Sequence, residues 1–401
     1  MKRRLTLFVL FALLVSSFGS LASAQDEVTL LIWADETRAG VIEELGGTFE
    51  EEYGVSLEVQ QLAFGDIRDQ LRIAGPAGEG PDVIIGAHDW LGELVANGLV
   101  APVDLGEDVD NFSPVAIQAF TYESQLYGVP YAVENIALFY NTELVPEPPK
   151  TWAEVRALSE ELTDADAGQY GFVIQQGDPY HFFPVMTSFG GYVFGVDEEG
   201  NYNPEDVGID SEGAIAGLQF VVDMINDGLI PSGLDGNTAQ TLFQDGKAAM
   251  YITGPWNVQA FTDAGTPFAI APIPAAEEGG ENGAPFIGSQ GFMVSAFSEN
   301  LPLAQVFLTE FAASEEVQQL LYERGGRPSA LLSVMEGVED PYAAAFAEAS
   351  ATGLPMPAIP EMSAVWSFWG DAVTNAMLGA QTPEEAFSTA ASEIRAAIAG
   401  E

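Results

Sequence analysis

The sequence has no cysteine and only two histidines, which excludes several kinds of chemistry. Without cysteine there is no disulfide bond, no thiolate metal ligand, no cysteine nucleophile and no N-terminal cysteine to carry a lipid. His88 and His181 lie far apart and have no partner histidine at the spacing of a zinc site. The segment 197–206 resembles a calcium loop only loosely, because Tyr202 stands where such a loop needs glycine. We therefore expect no metal and no cofactor, with calcium binding as an open alternative.

Basic residues are scarce as well. The chain has 12 Lys and Arg against 60 Asp and Glu, which gives a formal net charge of −48. Such an excess of negative charge repels nucleic acid and anionic membrane surfaces. It also disfavours small anionic ligands unless Arg or Lys residues cluster locally. We therefore expect no nucleic-acid partner, and we attribute the acidity to solubility, in keeping with a saline habitat.

A long apolar run occurs only at the N-terminus. The basic residues Lys2, Arg3 and Arg4 precede an apolar stretch that ends in the small residues 22–24, which is the pattern of a cleavable secretory signal. No later run approaches the ~18 apolar residues that span a bilayer. We therefore predict a signal peptide over residues 1–24. The mature protein is expected to be soluble, monomeric, free of a lipid anchor and located in a periplasm.

Apolar periodicity in the N-terminal part predicts strands that alternate with helices. Short apolar or alternating runs are typical of strands, and longer amphipathic segments separate them. The predicted strands cover 28–33, 55–62 and 82–87, and the predicted helices cover about 37–53, 66–75 and 88–97. This order indicates an α/β fold with a parallel sheet that has helices on both faces.

The remainder of the chain predicts a second unit and two connections to it. The extended stretches 126–141 and 266–288 are interpreted as crossings between two domains, and residues 301–401 are mainly helical. Between the crossings, Thr151 and Ser211 each stand where a helix N-cap is expected. Further predicted elements are a strand at 168–175, helices at 211–227 and 238–246, and a strand at 247–256 that ends in "ITGPW".

No catalytic or phosphate-binding pattern is present in the sequence. There is no G-x-S-x-G elbow, no P-loop and no G-x-G-x-x-G before a helix. What remains is a set of aromatic rings and carboxylates at the ends of elements: Tyr131, Glu134, Asp178, Tyr180, Trp256, Trp366 and Trp369. A neutral polyhydroxylated ligand needs this combination, because its C–H faces lie on rings while its hydroxyls donate to carboxylates. Each of these residue types taken alone is more often structural, and it is their combination on turns that favours a binding site.

Five ordered segments carry a resemblance to a known family. They are "GEGPDVIIGAHDWLGELVANGLV" (78–100), "PYAVENIALFYNTELVPEPPKTWAE" (130–154), "DPYHFFPVMTSFGGY" (178–192), "AAMYITGPWNV" (248–258) and "MPAIPEMSAVW" (356–366). The chain resembles the maltose/maltodextrin-binding proteins of bacterial ABC importers over nearly its whole mature length. The resemblance implies an α/β two-lobe periplasmic-binding-protein fold, in which hinge crossings join two mainly parallel sheets flanked by helices. The implied lobes are 25–132 plus about 289–338, and 133–288 plus about 339–401.

The resemblance also implies which residues contact the ligand. Positions that match the family's sugar-contacting residues are Asp89, Glu134, Asp178, Tyr180, Trp256 and Trp366. Weaker candidates are Asp35, Glu36, Arg38, Arg68, Asp69, Trp90 and Trp369. The sequence departs from the family at Gly86, where a tryptophan platform is expected, and Trp90 and Trp369 are expected to replace part of it. Other departures are Trp90, Gly370, Ser367 and the shorter acid Asp178, and they leave the length and linkage of the sugar open.

The implied function is that of a periplasmic binding protein that takes an α-glucoside, such as maltose, maltodextrin or trehalose, into its cleft. It would deliver this sugar to the membrane permease of an ABC importer, and it would not be an enzyme. Two alternatives stay open. One is a binding protein for a polyamine or a peptide, since polyamine sites also use carboxylates and aromatic rings. A glycosidase could use Glu134 and Asp178 as its two carboxyl groups.

Overall fold

A computed structural model describes residues 28–197, 201–336 and 338–400 of the chain. The predicted signal peptide lies outside these residues. The strands are β1 Thr29–Ala34, β2 Ser56–Gln61, β3 Val83–Ala87, β4 Val100–Ala101, β5 Thr121–Tyr122, β6 Gln125–Leu126, β7 Val129–Glu134, β8 Ala137–Asn141, β9 Tyr170–Val173, β10 Phe194–Val196, β11 Tyr202–Val207, β12 Ala248–Thr253, β13 Phe268–Ala271, β14 Ile273–Ala275, β15 Asn282–Gly283, β16 Phe286–Ser295 and β17 Leu354–Pro355.

The α-helices agree with the predicted pattern of short helices between strands and a helical C-terminal region. They are α1 Ala39–Tyr53, α2 Phe64–Ala77, α3 Leu91–Ala96, α4 Pro114–Ala119, α5 Trp152–Leu162, α6 Pro179–Ser188, α7 Glu212–Asn226, α8 Gly236–Gln244, α9 Val258–Ala264, α10 Leu301–Val306, α11 Glu315–Gly325, α12 Leu332–Met335, α13 Pro341–Ala349, α14 Met362–Met377 and α15 Pro383–Ala399. The predicted caps are confirmed. Thr151 forms a capping box with Glu154 at the start of α5, and Ser211 accepts a hydrogen bond at the start of α7.

The larger sheet has the order β17-β16-β3-β1-β2, and β4 and β7 also pair with β16. Strand β1 runs parallel to both β2 and β3. The predicted β-α-β-α-β unit is therefore confirmed, with α1 and α2 as its crossover helices. Strand β16 joins the sheet antiparallel to β3 and to β7. The α/β fold class is confirmed.

The smaller sheet has the order β13-β8-β12-β9. Its strand β12 is parallel to β9 but antiparallel to β8, and β8 is antiparallel to β13. The expectation of a mainly parallel sheet in each lobe is therefore wrong for this sheet. Parallel neighbours need a long crossover connection. Strand β8 instead arrives from the larger sheet after only Asn135 and Ile136, so its direction follows from β7.

The chain passes between the two sheets within short extended segments. Strand β7 ends at Glu134 in the larger sheet, and β8 begins at Ala137 in the smaller one. The return runs from β13 in the smaller sheet to β16 in the larger one. Both passages fall inside the stretches 126–141 and 266–288 that the sequence analysis interpreted as crossings. The residues at their ends therefore lie between the two sheets.

Apolar side chains pack on both sheets. One buried cluster covers the larger sheet and includes Ile32, Phe49, Ile85, Phe292 and Phe307. A second covers one side of the smaller sheet and includes Phe139, Phe243, Tyr251 and Phe261. The helices α14 and α15 pack on each other and on α7, so the C-terminal helices cover the smaller-sheet side. Within the described ranges, no helix has the length and apolar character needed to cross a membrane.

Candidate ligand-binding cleft

A cavity of about 470 Å³ lies between the two sheets. The carboxyl ends of parallel strands meet at one edge of a sheet, which is where ligands bind in open α/β folds. Asp35 follows β1 and Asp89 follows β3, while Asp178 and Trp256 follow β9 and β12. The lining residues are Asp35, Glu36, Thr37, Arg38, Phe64, Gly65, Arg68, Ala87, Asp89, Trp90, Glu134, Gln175, Asp178, Pro179, Tyr180, His181, Trp256, Gln290, Arg327, Met356 and Trp366.

Arg38 and Asp35 form a buried ion pair at the end of β1. Nη1 of Arg38 donates to Asp35, and Nε donates to the hydroxyl of Tyr131 on β7. Burial lowers the pKa of Arg38, and nearby Arg327 lowers it further. The guanidinium carbon also lies 5.1 Å from the centroid of the Phe64 ring. Contacts with Asp35, Tyr131 and Phe64 therefore hold Arg38 in place at the cavity.

Glu134, at the end of β7, is satisfied by two donors. Nε of Arg327 donates to Oε2 at 2.8 Å, and Nε2 of Gln290 donates to Oε1 at 2.9 Å. Arg327 also donates to the hydroxyl of Thr37 at 3.3 Å. Burial opposes the charge of Arg327, but Tyr131 and Glu134 outweigh it, so the pKa of Arg327 is raised. The carboxylate of Glu134 is thus a fixed, charge-compensated acceptor.

Asp89 on the larger-sheet side contacts Trp366 on α14. The indole N–H of Trp366 donates to Oδ2 of Asp89 at 2.8 Å. Burial is the largest influence on Asp89 and raises its pKa to about 6, although Trp366 and Arg68 act in the opposite direction. Neighbouring His88 is not among the cavity-lining residues; it bridges elements, since it accepts from the Ser289 N–H and contacts the Met356 carbonyl.

Asp178 caps helix α6 and holds His181. Its Oδ1 accepts from the backbone N–H of Tyr180 at 2.9 Å, and its Oδ2 lies 2.6 Å from Nδ1 of His181. Burial opposes ionisation of Asp178, but His181 and the backbone donors outweigh it and lower the pKa. Burial and the charge of Glu134 raise the pKa of Tyr180 well above its ordinary value, so the phenol keeps its proton.

Trp256 is partly buried and lies in the cavity lining. Strand β12 ends at Thr253, and Gly254 and Pro255 turn the chain so that the indole comes back over Gly254. A Cβ atom at Gly254 would lie 2.2 Å from a ring carbon of Trp256, so only glycine permits this placement. The ring centroid of Tyr180 is 6.4 Å away. The turn "ITGPW" thus places an aromatic ring at the cleft.

Trp90 fills the space beside Gly86. A Cβ atom at Gly86 would lie 2.2 Å from Cζ3 of Trp90, which means that the indole covers the site where a side chain at position 86 would project. The Trp90 ring packs against Phe64 at 4.7 Å between centroids and lines the cavity. Trp90 thus lies beside Gly86 in the cavity lining, and its replacement of part of a platform missing at Gly86 stays a prediction.

The structure brings most of the predicted site residues together and leaves two aside. Those in the cavity lining are Asp35, Glu36, Arg38, Arg68, Asp89, Trp90, Glu134, Asp178, Tyr180, Trp256 and Trp366. Asp69 points to the surface and pairs with Arg68 at 3.1 Å. Trp369 is completely buried and stacks behind Trp366, with 6.0 Å between ring centroids. Trp369 therefore supports a wall of the cavity from behind and does not replace a platform.

Several lining residues were missed by the sequence analysis, above all Arg327, Gln290, His181 and Phe64. Two of them have features in the sequence that could have identified them as candidates. Arg327 is one of few basic residues and follows the helix-ending pair Gly325-Gly326, and His181 stands three positions after Asp178, one helical turn along α6. Gln290 and Phe64 have no comparable signal, because only the pairing of β16 and the packing of α2 bring them to the cleft.

Three cavity-lining side chains each have one buried polar atom without a hydrogen-bond partner within the described ranges: Oδ1 of Asp89, Nε2 of His181 and Oε1 of Gln290. The two oxygens are acceptors. Buried polar atoms in native proteins are nearly always paired. Side chains that line the cleft therefore carry acceptor atoms that have no partner among the described residues. No group of three or more His, Cys, Asp or Glu residues suited to a metal ion occurs in the described part of the chain.

Comparison with known proteins agrees with this geometry. A galactooligosaccharide-binding protein of Bacillus subtilis is 35% identical over 390 residues, which cover 95% of this chain and 92% of that protein. A maltotriose-binding protein of Pyrococcus abyssi is 33% identical over 309 residues, 75% of this chain and 66% of that protein. A maltooligosaccharide ABC transporter solute-binding lipoprotein of Streptococcus pneumoniae is 29% identical over 377 residues, 91% of this chain and 86% of that protein.

A family model also matches this chain. The model described as bacterial extracellular solute-binding protein matches residues 44–350. This range includes both passages between the sheets and most of the cavity lining. The resemblance inferred from the five sequence segments is confirmed. The chain belongs to the family of bacterial extracellular solute-binding proteins.

Proposed function

We propose that this protein binds a neutral oligosaccharide in the cleft between the two sheets and delivers it to the permease of an ABC importer. The observation that carries the proposal is the joint presence of aromatic rings and unpaired acceptor atoms in one cavity. Trp256, Trp366 and Tyr180 offer faces to the C–H surface of a sugar ring, and Asp89 and Gln290 offer acceptors to its hydroxyls. C–H faces and hydroxyl groups are the two kinds of surface that a neutral sugar presents, and the cavity has groups suited to each.

The leading ligand class is the α-glucosides, including maltose, maltodextrins and trehalose. The relatives named for maltotriose and maltooligosaccharides support it. Galactooligosaccharides are a second candidate class, because the Bacillus subtilis relative named for them covers 95% of this chain at 35% identity. The cavity volume of about 470 Å³ lies within the range of small-ligand sites. The two classes differ in the orientation of ring hydroxyls, so a binding comparison between them tests which class the cleft prefers.

The charge pairing in the cleft speaks against a polyamine. A polycation needs carboxylates that are free of other cations. Asp35 is paired with Arg38, and Glu134 is paired with Arg327. A polyamine would have to compete with these buried partners. The local balance of acidic and basic side chains suits a neutral ligand, even though the whole chain is strongly acidic.

The same contacts speak against a glycosidase. A general acid needs a proton to give, and such acids have a raised pKa. Both oxygens of Glu134 already accept from Arg327 and Gln290, and the pKa of Asp178 is lowered rather than raised. We infer that these two carboxylates bind and position, and that the protein is not an enzyme.

We propose a hinge motion for the two lobes, with boundaries near 25–132 plus 289–338 and 133–288 plus 339–401. Among the contacts that join the two sides across the cleft are those of Trp366 with Asp89 and of Trp256 with Arg327. A ligand that touches both sides stabilises the closed form and shifts the equilibrium toward it. The closed form would then dock on the permease as a monomer, in the periplasm, after removal of the signal peptide over residues 1–24.

The test is a calorimetric titration of the purified protein with maltose, maltotriose, trehalose, galactobiose and spermidine. We expect stoichiometric binding of at least one sugar, no heat from spermidine, and no reducing-sugar release on long incubation. Small-angle scattering with the bound sugar should give a smaller radius of gyration than without it. Binding of spermidine in place of any sugar would overturn the proposal, and so would hydrolysis of the bound sugar.

A further inference from the structure

His181 lines the cavity, and its two ring nitrogens have different surroundings. Nδ1 lies 2.6 Å from Oδ2 of Asp178, whereas Nε2 is buried and has no hydrogen-bond partner among the described residues. Only 6% of the residue is exposed. A polar atom that is buried without a partner destabilises the fold. His181 therefore has an unused hydrogen-bonding position at a binding cavity.

The hydrogen-bond partner of Nδ1 determines whether Nε2 of His181 donates or accepts. The carboxylate of Asp178 accepts from the Tyr180 N–H through one oxygen and contacts His181 through the other. An ionised carboxylate only accepts, so Nδ1 of His181 carries the proton of this hydrogen bond. In the neutral ring Nε2 is then an acceptor with one free lone pair. Asp178 sets the tautomer and orientation of the ring.

Aromatic packing holds the imidazole beside the sugar-binding rings. Its centroid lies 6.0 Å from the Trp256 ring at an interplanar angle of 80°, and 5.7 Å from the Tyr180 ring at 78°. These edge-to-face contacts restrict rotation of the imidazole. The position of Nε2 is thus fixed relative to Trp256, the ring on which a sugar would lie.

We propose that Nε2 of His181 accepts a hydrogen bond from one hydroxyl of the bound sugar and thereby helps to select the sugar. Asp178 is the positioning residue that acts through His181. This inference rests on the proposed function and names a contact within its site. It predicts that His181 discriminates between sugars that carry a hydroxyl at this point and sugars that lack it.

The rival explanation is that His181 only stabilises the start of α6 through Asp178. Two substitutions separate the explanations. His181→Asn places an amide near the position of Nδ1, so it retains the contact with Asp178 and loses the contact at Nε2. His181→Gln places its amide near Nε2 and loses the contact with Asp178. A ligand contact predicts weaker binding by the first variant, and a structural role predicts lower stability of the second variant alone.

The experiment measures binding by calorimetry at neutral pH for wild type and both variants. The probe is the tightest wild-type ligand among maltotriose, trehalose and galactobiose, together with its monodeoxy analogues. We expect His181→Asn to bind the parent sugar about three- to tenfold more weakly, the effect of one lost hydrogen bond, and His181→Gln to change affinity less. One monodeoxy analogue should bind wild type equally weakly, and this loss should vanish in His181→Asn.

Each outcome decides a question. If His181→Asn binds the parent sugar as tightly as wild type, the proposed contact is wrong while the sugar-binding function stands. The same holds if every monodeoxy analogue loses the same affinity in wild type and variant. If wild type binds none of the three sugars, the proposed function itself fails and this inference fails with it. If a variant has low stability, its sugar binding is measured as the ligand-induced shift in melting temperature, relative to the same variant without ligand.

Discussion

The guanidinium carbon of Arg327 lies 5.3 Å from the centroid of the Trp256 ring. Arg327 follows α11, and Gly326 ends that helix in the left-handed conformation with φ of 65°. A Cβ atom at Gly326 would lie 3.0 Å from the carbonyl oxygen of Pro255, so this turn approaches the "ITGPW" turn closely. The contact joins a loop of the larger-sheet side to the ring at the end of β12.

Arg327→Met should lower the free energy of unfolding by about 3–5 kcal/mol, because it leaves Glu134 buried without its charge partner. Chemical denaturation provides the measurement. The matched control is Arg324→Met, three positions earlier, whose arginine is 51% exposed and pairs with Glu44 at the surface. An exposed pair contributes about 1 kcal/mol or less. Equal effects of the two substitutions would show that the Glu134–Arg327 pair is not a buried one.

Glu134→Gln tests the same pair from the other side. Placed in the Arg327→Met background, it removes the uncompensated charge while Gln290 can still donate to the new amide oxygen. We therefore expect the double variant to recover a large part of the lost stability. Failure to recover would assign the loss to the contacts of Arg327 with Thr37 and Trp256 instead.

Trp256→Ala should weaken sugar binding by about 1–3 kcal/mol with little loss of fold stability, because a partly exposed ring at the cleft contributes more to the ligand than to the core. Trp369→Ala is the contrasting variant. Trp369 is fully buried, so its truncation should destabilise the fold by about 3–5 kcal/mol. Thermal unfolding and calorimetry on both variants check the pair of expectations. A large stability loss with normal affinity for Trp256→Ala would assign that ring to the core.

Local patterns in the sequence predicted what local physics determines. The caps at Thr151 and Ser211 and the strand leading to Trp256 are short-range features, and all appear in the structure. The apolar spacing along α14 also explains why Trp369 is buried. Met362, Val365, Trp369 and Val373 repeat at three- and four-residue intervals on one helix face, and Trp366 lies off that face.

Long-range features could not be predicted in the same way. The antiparallel direction of β8 depends on which strands meet after a crossing, and no local pattern encodes that. The pairing of β16 with β7 brings Gln290 to Glu134 across 156 positions of the sequence. Arg327 reaches the cleft because a helix ends at Gly326. These residues come from distant segments, so the site was predicted in its aromatic and acidic parts and missed in its basic and amide parts.

Gly86→Ala should destabilise the protein by about 1–3 kcal/mol, because the new methyl group would lie 2.2 Å from the Trp90 ring and force it to move. Displacement of Trp90, which lines the cavity, should also weaken sugar binding. The control is Gly40→Ala near the start of α1, where nothing lies within 4 Å of the added methyl. There the substitution should stabilise the helix by about 0.5–1 kcal/mol. Unfolding and binding measurements on both variants provide the test, and an unchanged Gly86→Ala protein would contradict the placement of Trp90.

His88 and Asp89 are adjacent, buried, and titrate with opposite effects on stability. Burial lowers the pKa of His88 from 6.5 to about 4 and raises that of Asp89 from 3.8 to about 6. Between about pH 4 and 6.5 the unfolded chain binds more protons at His88, so the stability that His88 contributes is lost as pH falls. In the same range the folded chain binds more protons at Asp89, so the stability linked to Asp89 is lost as pH rises.

Opposite pH slopes are therefore expected for two single variants. Each shift of about two pKa units corresponds to about 3 kcal/mol. Relative to wild type, the free energy of unfolding of Asp89→Asn should increase by up to about 3 kcal/mol as pH rises from 4 to 7. That of His88→Gln should increase by a similar amount as pH falls over the same range. Asn can still accept from the Trp366 indole, which separates the charge effect from a lost hydrogen bond. Denaturant unfolding at several pH values measures both slopes. Slopes of the same sign would mean that one of the two side chains is not buried as described.

The pH dependence of sugar affinity provides a separate test of Asp89, because hydroxyl donors favour the ionised carboxylate. Wild-type affinity should therefore weaken as pH falls below about 6, and Asp89→Asn should abolish that dependence.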